Sequence, residues 1–288
     1  MLNVLAPAKI NLTLEVLAKR SDGFHEIRSV IQTINLCDSL RFHLSRDIEF
    51  KCDMPKWIPE ESLVSKATSL LQQVTGCDKG ATIEINKRIP LMSGLGGDSS
   101  DAAAILRGLN KLWGLSLSYG ELLDLTAGLG SDVAFFLCGG TALVTGRGEM
   151  VTPLPQLSHM WIVVMMPPVP RLPGKTERLY ASINASHYTD GQITERLVKE
   201  LREGREFTPS LLFNAFENVA FARSSELSTY REHIVKIGAT HVHLAGSGPA
   251  LFTLESDKSQ AEKIYKSLQQ QGLETYLTET LGGLEKIG

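Results

Sequence analysis

The chain has 288 residues, 43% hydrophobic and 21% charged, the balance of a soluble globular protein with material for one large or two ordinary domains. A formal net charge of −3 argues against a general nucleic-acid binder and leaves room only for a local basic site. Four dispersed cysteines (Cys37, Cys52, Cys77, Cys138) form no CxxC or Cys/His cluster, so reduced thiols and a cytoplasmic setting are expected.

The first twenty residues have no basic segment ahead of an apolar core, and Lys9 and Glu15 interrupt them, so no secretory signal is expected. No apolar run approaches the roughly 20 residues of a membrane span. From Ala8 the chain alternates. Ile10, Leu12, Leu14 and Val16 share one face and Lys9, Asn11, Thr13 and Glu15 the other, the period-two pattern of a half-buried strand. Lys9 and Asn11 therefore sit side by side.

A turn at Ser21-Asp22-Gly23 precedes an apolar stretch over 27–36, and further strands are predicted at 40–44 and 81–85. Leu63, Ala67, Leu70, Leu71 and Val74 have helical spacing within a segment over 60–74. A second helix opens at Ser99/Ser100 and runs to Trp113, where Gly114 stops it, and a third covers 119–125. Phe135, Phe136 and Leu137 lead through Gly139-Gly140 to a strand at 141–145. Pro153, Pro155, Pro167, Pro168, Pro170 and Pro173 cluster around a strand at 161–165, which sets a domain boundary there and gives domains 1–155 and 156–288. Helices at 192–201 and 225–237, a strand–turn–strand over 241–254, a helix at 258–271 and a strand at 275–281 follow. Strict strand–helix alternation is absent early on, so the α+β class is predicted.

Three glycine-rich stretches carry candidate chemistry. In the first, Pro90-Leu91-Met92-Ser93-Gly94-Leu95-Gly96-Gly97-Asp98-Ser99-Ser100 joins a strand to a helix. Successive backbone N–H groups of such a loop form an anion site backed by the helix dipole, and the two serine hydroxyls can add bonds to phosphate oxygens or a magnesium ion. The alternative is a bare turn with a Ser/Asp cap. The loop matches neither GxxxxGKS/T nor GxGxxG, which disfavours Walker-type and dinucleotide folds. In the second, Gly130-Ser131-Asp132 precedes an aromatic pair, so Asp132 is either a partly desolvated general base or a helix cap. The third, Gly246-Ser247-Gly248-Pro249, would pass alone for a tight turn.

Together and in this order, the three stretches resemble the motifs of the GHMP kinase superfamily, named for galactokinase, homoserine kinase, mevalonate kinase and phosphomevalonate kinase. The segments Ala6-Pro7-Ala8-Lys9-Ile10-Asn11-Leu12, Ser21-Asp22-Gly23-Phe24-His25-Glu26, Gln32-Thr33-Ile34 and Gly146-Arg147-Gly148-Glu149 bring it nearest to the branch acting on a cytidyl-diphosphate-linked methylerythritol. The Asp22–Glu26 segment is what separates that branch from homoserine and mevalonate kinases. A non-catalytic nucleotide-binding relative is the remaining alternative, disfavoured by the retention of both Lys9 and Asp132.

The resemblance implies a two-domain GHMP fold, with an N-terminal domain like the second domain of ribosomal protein S5 and a C-terminal ferredoxin-like α/β sandwich. It implies transfer of the ATP γ-phosphoryl group to the substrate 2-hydroxyl, with magnesium carried by ATP and no metal site assigned on the protein. Asp132 and Lys9 match the catalytic pair. Pro90, Gly94, Leu95, Gly96, Gly97, Asp98, Ser99 and Ser100 match the phosphate loop, with Leu63 near the adenine and Lys87 a nucleotide neighbour. Asn11, Phe24, His25, Thr176 and Tyr180 match the acceptor site, where Phe24 stacks on cytosine and His25 bonds its polar edge. Three departures stand out, the first being Phe24, at a position where tyrosine is usual; stacking survives that change and a hydroxyl contact is lost. Ser62 occupies a position where asparagine is common, and Asp98 one where glycine is common; Asp98 is expected to point away from the phosphates or to help hold magnesium. Small-molecule substrates are the expected partners, with no nucleic acid or membrane, and the chain is expected to be a monomer or homodimer.

Overall fold

The alternation that begins at Ala8 belongs to one strand, β1, running Leu2–Lys19. A computed structural model describes residues 1–54, 57–171 and 174–283, so Pro173 lies outside the described residues. β1 pairs antiparallel along its whole length with β2 (His25–Ser45), from Leu2 opposite Phe42 to Lys19 opposite His25. The segments predicted separately at 27–36 and 40–44 are therefore a single strand, carried through Cys37 and Asp38. Both faces of β1 are buried, against the half-buried strand predicted: Lys9, Asn11, Thr13 and Glu15 are each at most 5% exposed. The cause is two covers on its polar side: glycine turns at Gly96 and Gly246 lie against Lys9 and Asn11, and a helix lies over Thr13 and Glu15. The Thr194 N–H donates to Glu15 Oε2 at 2.7 Å, and the Thr194 hydroxyl bonds Thr13 Oγ1 at 2.9 Å.

The first sheet adds β3 (Ile48–Cys52), β4 (Gly80–Asn86), β5 (Thr141–Gly146), β6 (Met150–Pro153) and the short β8 (Phe213–Asn214). Its order is β3-β4-β2-β1-β8, with β5 pairing both β2 and β6. Helices α1 (Leu63–Thr75), α2 (Gly97–Trp113), α3 (Tyr119–Thr126) and α4 (Ser131–Cys138) pack on one side of it, over a core that includes Phe42, Leu71, Ile83, Leu106 and Phe135.

The second sheet has order β11-β7-β10-β9, with β7 Trp161–Met166, β9 His243–Leu244, β10 Leu251–Glu255 and β11 Glu274–Glu279. Along β7 the side chains divide with period two: Ile162, Val164 and Met166 meet Ile10, Leu12 and Ile34, while Val163 and Met165 face Ile264 and Leu268. A strand with both faces apolar is buried on both. The chain end then returns to the first sheet, where the Leu281 N–H donates to the Thr33 carbonyl at 2.9 Å. Helices α5 (Lys175–Tyr180), α6 (Gln192–Arg202), α7 (Glu217–Arg223), α8 (Ser225–Lys236) and α9 (Lys258–Gln270) complete the α+β architecture.

Two helix starts differ from expectation. α1 begins at Leu63 behind a Ser62 cap, whose hydroxyl accepts the Val64 N–H, because Pro59–Glu61 form a separate 3-10 turn. α2 begins at Gly97, two residues before the predicted serine start. Its cap is Gly96 in the left-handed region (φ +77°), so the backbone makes the turn that a side chain was expected to make.

A buried ion triad fixes α2 to the sheet. Lys87 Nζ lies 2.5 Å from Asp38 Oδ2 on β2 and 2.6 Å from Asp101 Oδ2 on α2, with all three side chains at most 1% exposed. Asp38 Oδ1 also accepts the Arg88 and Ile89 N–H groups. Burial opposes the Lys87 charge, yet the two carboxylates outweigh it and hold the ammonium above the ordinary lysine value. Burial lifts the Asp101 carboxyl well above its usual range, against the pull of Lys87. Removing the shared cation leaves two buried carboxylates facing each other, so Lys87→Met is expected to cost about 3–5 kcal/mol in urea unfolding. Asp101→Asn keeps an acceptor for Lys87 and removes the excess charge, so its expected cost is under about 1.5 kcal/mol. Equal losses in the two variants would contradict this account of the triad.

Candidate active site

Between the phosphate-type loop, the start of α4 and α5 lies a cleft of about 1140 Å³. The first and third glycine stretches, far apart in sequence, meet at it, and the second contributes Ser131 and Asp132 to its lining. A Cβ built on Gly94 would lie 2.0 Å from the Ala245 carbonyl oxygen and 2.7 Å from the Gly248 nitrogen, and Gly94 has φ +88°. A Cβ on Gly246 would lie 2.9 Å from the Gly94 carbonyl oxygen and 3.1 Å from Lys9 Nζ. Two backbones pass within touching distance, and only glycine permits that. The contact is sealed by the Ala250 N–H on the Ser93 carbonyl (3.1 Å) and the Lys9 N–H on the Leu95 carbonyl (2.9 Å).

Pro90, Gly94, Gly96, Gly97, Asp98 and Ser99 line the cleft, as predicted phosphate-loop residues should. Leu95, Ser100 and Leu63 do not. The Leu95 side chain is fully buried, and this residue serves the site through its carbonyl. Ser99 and Ser100 are successive helical positions about 100° apart, and they divide between the cleft and the interior. Ser100 is the one turned inward, with a fully buried hydroxyl that has no hydrogen-bond partner among the described residues. Leu63 packs on the core beneath α1. Lys87 borders the cleft, but its ammonium is held in the triad rather than left for a nucleotide. Asp98 faces α1: its carboxylate accepts the Ser62 hydroxyl and the Leu63 N–H (3.1 Å), so the departures at positions 62 and 98 bind each other. Its negative charge is placed at the N-terminus of α1, where the helix dipole favours it.

Asp132 occupies the first turn of α4, two residues past the Gly130 cap, and its side chain is 35% exposed. Lys9 Nζ lies 3.4 Å from Asp132 Oδ2 and donates to Asn11 Oδ1 at 2.9 Å. Asn11 in turn donates to Ser29 Oγ at 2.8 Å, and Ser29 to the Thr13 carbonyl. The relay orients the Asn11 amide so that its oxygen meets Lys9. The lysine is buried and its ammonium is fixed from two sides.

At the far end, Asp22 Oδ1 accepts the Phe24 N–H in a tight turn, and Arg20 bridges Asp22 and Glu26. This turn holds Phe24 and His25 in place. His25 stacks on Tyr180 with ring centroids 5.0 Å apart at 15°, and Tyr188 meets it edge-on. The His25 Nε2 is buried without a hydrogen-bond partner among the described residues. Burial, helped by nearby Lys19, holds His25 below the ordinary histidine value, so the ring is neutral at neutral pH. Phe24 is 54% exposed, and the Arg147 guanidinium lies 4.8 Å from its ring centroid. The Thr176 hydroxyl is 2.8 Å from Ser247 Oγ. Lys175, Ser247 and Arg147 also line the cleft without having been assigned roles. Arg147 and Ser247 lie inside motifs that were recognised, whereas Lys175 follows a proline-laden segment with no periodicity to mark it.

The model of the GHMP kinases N-terminal domain matches residues 62–140, and that of the GHMP kinases C-terminal domain matches 195–273. A 4-diphosphocytidyl-2-C-methyl-D-erythritol kinase of Dehalococcoides mccartyi is 49% identical over 99% of this chain and all of its own length. The enzyme of the same name from Geobacillus kaustophilus is 37% identical over 93% of each chain. A crystal structure of 4-(cytidine 5'-diphospho)-2C-methyl-D-erythritol kinase superposes with a TM-score of 0.83 at 32% identity, covering 98% of this chain and 100% of that one. Matches in both halves, over a backbone that superposes end to end, mean that the chain belongs to the GHMP kinases, in the 4-diphosphocytidyl-2-C-methyl-D-erythritol kinase family.

Proposed function

We propose that this kinase transfers the γ-phosphoryl group of ATP to the 2-hydroxyl of 4-diphosphocytidyl-2-C-methyl-D-erythritol. The observation that carries the reading is the Lys9–Asp132 pair, 3.4 Å apart in the cleft that the glycine loop also lines. Phosphoryl transfer needs positioning, charge neutralisation and an acceptor for the hydroxyl proton. Asp132 takes that proton as the acceptor oxygen bonds to the γ-phosphorus and the bond to the ADP bridging oxygen breaks. Lys9, fixed by Asn11, orients the Asp132 carboxylate and faces charge developing on the group in transit.

Backbone N–H groups of the glycine loop and the start of α2 cradle the ATP phosphates, and crowding behind the loop keeps it glycine, since a Cβ on Gly94 would strike the Ala245 carbonyl and one on Gly96 the Phe136 ring. Magnesium bound to the nucleotide supplies charge neutralisation on its phosphate oxygens. Among the described residues no group of three His, Cys, Asp or Glu side chains is placed to hold a metal, and Asp98 is engaged by α1. At the other end, Phe24 offers an open ring face, and the unpartnered His25 Nε2 offers a polar group to the edge of cytosine.

Asp132→Asn is expected to lower kcat by about 10²–10⁴-fold with an unchanged urea midpoint, and near wild-type turnover would remove Asp132 as base. Phe24→Ala is expected to raise the acceptor KM roughly 5-fold or more and leave the ATP KM unmoved, in keeping with a lost base stack. An ADP-release assay across the cytidyl substrate, mevalonate and homoserine tests the acceptor. Comparable kcat/KM for either of the last two would overturn the assignment.

A further inference from the structure

The cleft is lined by four carboxylates, Asp22, Asp98, Asp132 and Glu177, yet the proposed acceptor carries a diphosphate that must also fit there. Most of the cations that line it are already matched. Lys9 faces Asp132, Lys87 is shared by Asp38 and Asp101, and Arg147 lies 3.8 Å from Glu149 and over the Phe24 ring. Lys19 is exposed at the end of β1.

Lys175 is different. It is the first residue of α5, is partly buried, and donates from Nζ to the Gly248 carbonyl in the third glycine turn. Among the described residues no carboxylate is near enough to raise its pKa, and burial alone holds its ammonium down to about 8. A half-desolvated ammonium resting on a neutral carbonyl gains strongly from an anion, because charge-assisted bonds are shorter and stronger than neutral ones.

Its position selects which anion. Tyr180, which stacks on His25 at the proposed cytosine end, is five residues along the same helix, about 7.5 Å by helical rise. Lys175 and Thr176 therefore stand about one ribose-length along α5 from the base site, where they meet Gly248 and Ser247 of the turn whose Gly246 approaches the Lys9 ammonium. We infer that Lys175 binds the diphosphate of the cytidyl acceptor, turning from the Gly248 carbonyl to the phosphate oxygens, and that Thr176 supports it from its hydroxyl contact with Ser247.

The inference rests on the proposed cytidyl acceptor, and the test separates the two. Titration calorimetry with cytidine and with cytidine diphosphate is to be run on the wild type and on Lys175→Met. The wild type is expected to bind the diphosphate at least about tenfold more tightly than the nucleoside. Lys175→Met is expected to bind cytidine as the wild type does and to lose most of that preference. In kinetics, the acceptor KM rises by a similar factor and the ATP KM stays within twofold. A variant that keeps the full preference, or that loses cytidine binding as well, overturns the role of Lys175. A rise confined to the ATP KM moves the lysine to the donor phosphates and likewise overturns it. A wild type that binds neither ligand removes the cytidyl reading itself, and this inference with it.

Discussion

Everything in the cleft depends on one close approach, the passage of the Gly94 backbone against Ala245–Gly248. A methyl group at position 94 would sit inside the Ala245 carbonyl, and one at 246 would strike both Gly94 and the Lys9 ammonium. The phosphate-type loop leads into α2, the glycine turn joins β9 to β10, and Lys9 belongs to β1. Three elements that carry candidate chemistry are thus referenced to one another by main-chain contact, which tolerates less drift than side-chain contact. The Lys9–Leu95 and Ala250–Ser93 hydrogen bonds extend the same contact into both sheets. For a reaction whose catalysis is mostly positioning, a rigid backbone junction is the appropriate support.

Electrostatics follows from that junction. A site for polyphosphates that also holds carboxylates has to neutralise each of them locally. Asp98 is turned to the α1 N-terminus, Asp38 and Asp101 share Lys87, and Asp132 faces Lys9. Each acidic residue near the loop has a positive partner, Asp38 and Asp101 sharing one, so most of their charge is offset over short distances rather than projecting into the cleft. The ammonium of Lys175 is left on a neutral carbonyl, which makes it the cation most responsive to an incoming anion.

The sequence revealed the elements better than their surroundings. Alternation in β1 correctly divides its two faces, but periodicity cannot say what covers the polar one, and here it is α6 over Thr13 and Glu15 and the glycine turns over Lys9 and Asn11. Cys37 and Asp38 look like a break between strands because a charge inside a strand reads as a turn. Asp38 is tolerated there since Lys87 and two backbone N–H groups satisfy it, all from residues about fifty positions away. The start of α2 was misplaced by two residues because serine is a commoner cap than a left-handed glycine. α5 is six residues long, too short for a hydrophobic stripe to declare itself, and Lys175 was missed with it.

The same limit governs the site. Each glycine stretch was legible as a local turn, and their order pointed to the family, but their meeting is a property of the tertiary fold alone. Ser99 and Ser100 illustrate the point at the scale of one residue. Both have the right chemistry for a phosphate oxygen, and helical geometry sends one to the cleft and the other into the core. Position 98 shows the converse. An acidic residue in a phosphate loop looks like a liability, and Ser62 in place of the common asparagine looks like a lost ligand contact. In the structure the two departures answer each other, since the Ser62 hydroxyl and the Leu63 N–H hold the Asp98 carboxylate. A carboxylate bonded to the first turn of α1 ties that helix to the start of α2, so a substitution that reads as electrostatic has a mechanical effect. The loop's one anomalous charge is thereby satisfied by a neighbouring helix rather than turned on an incoming phosphate.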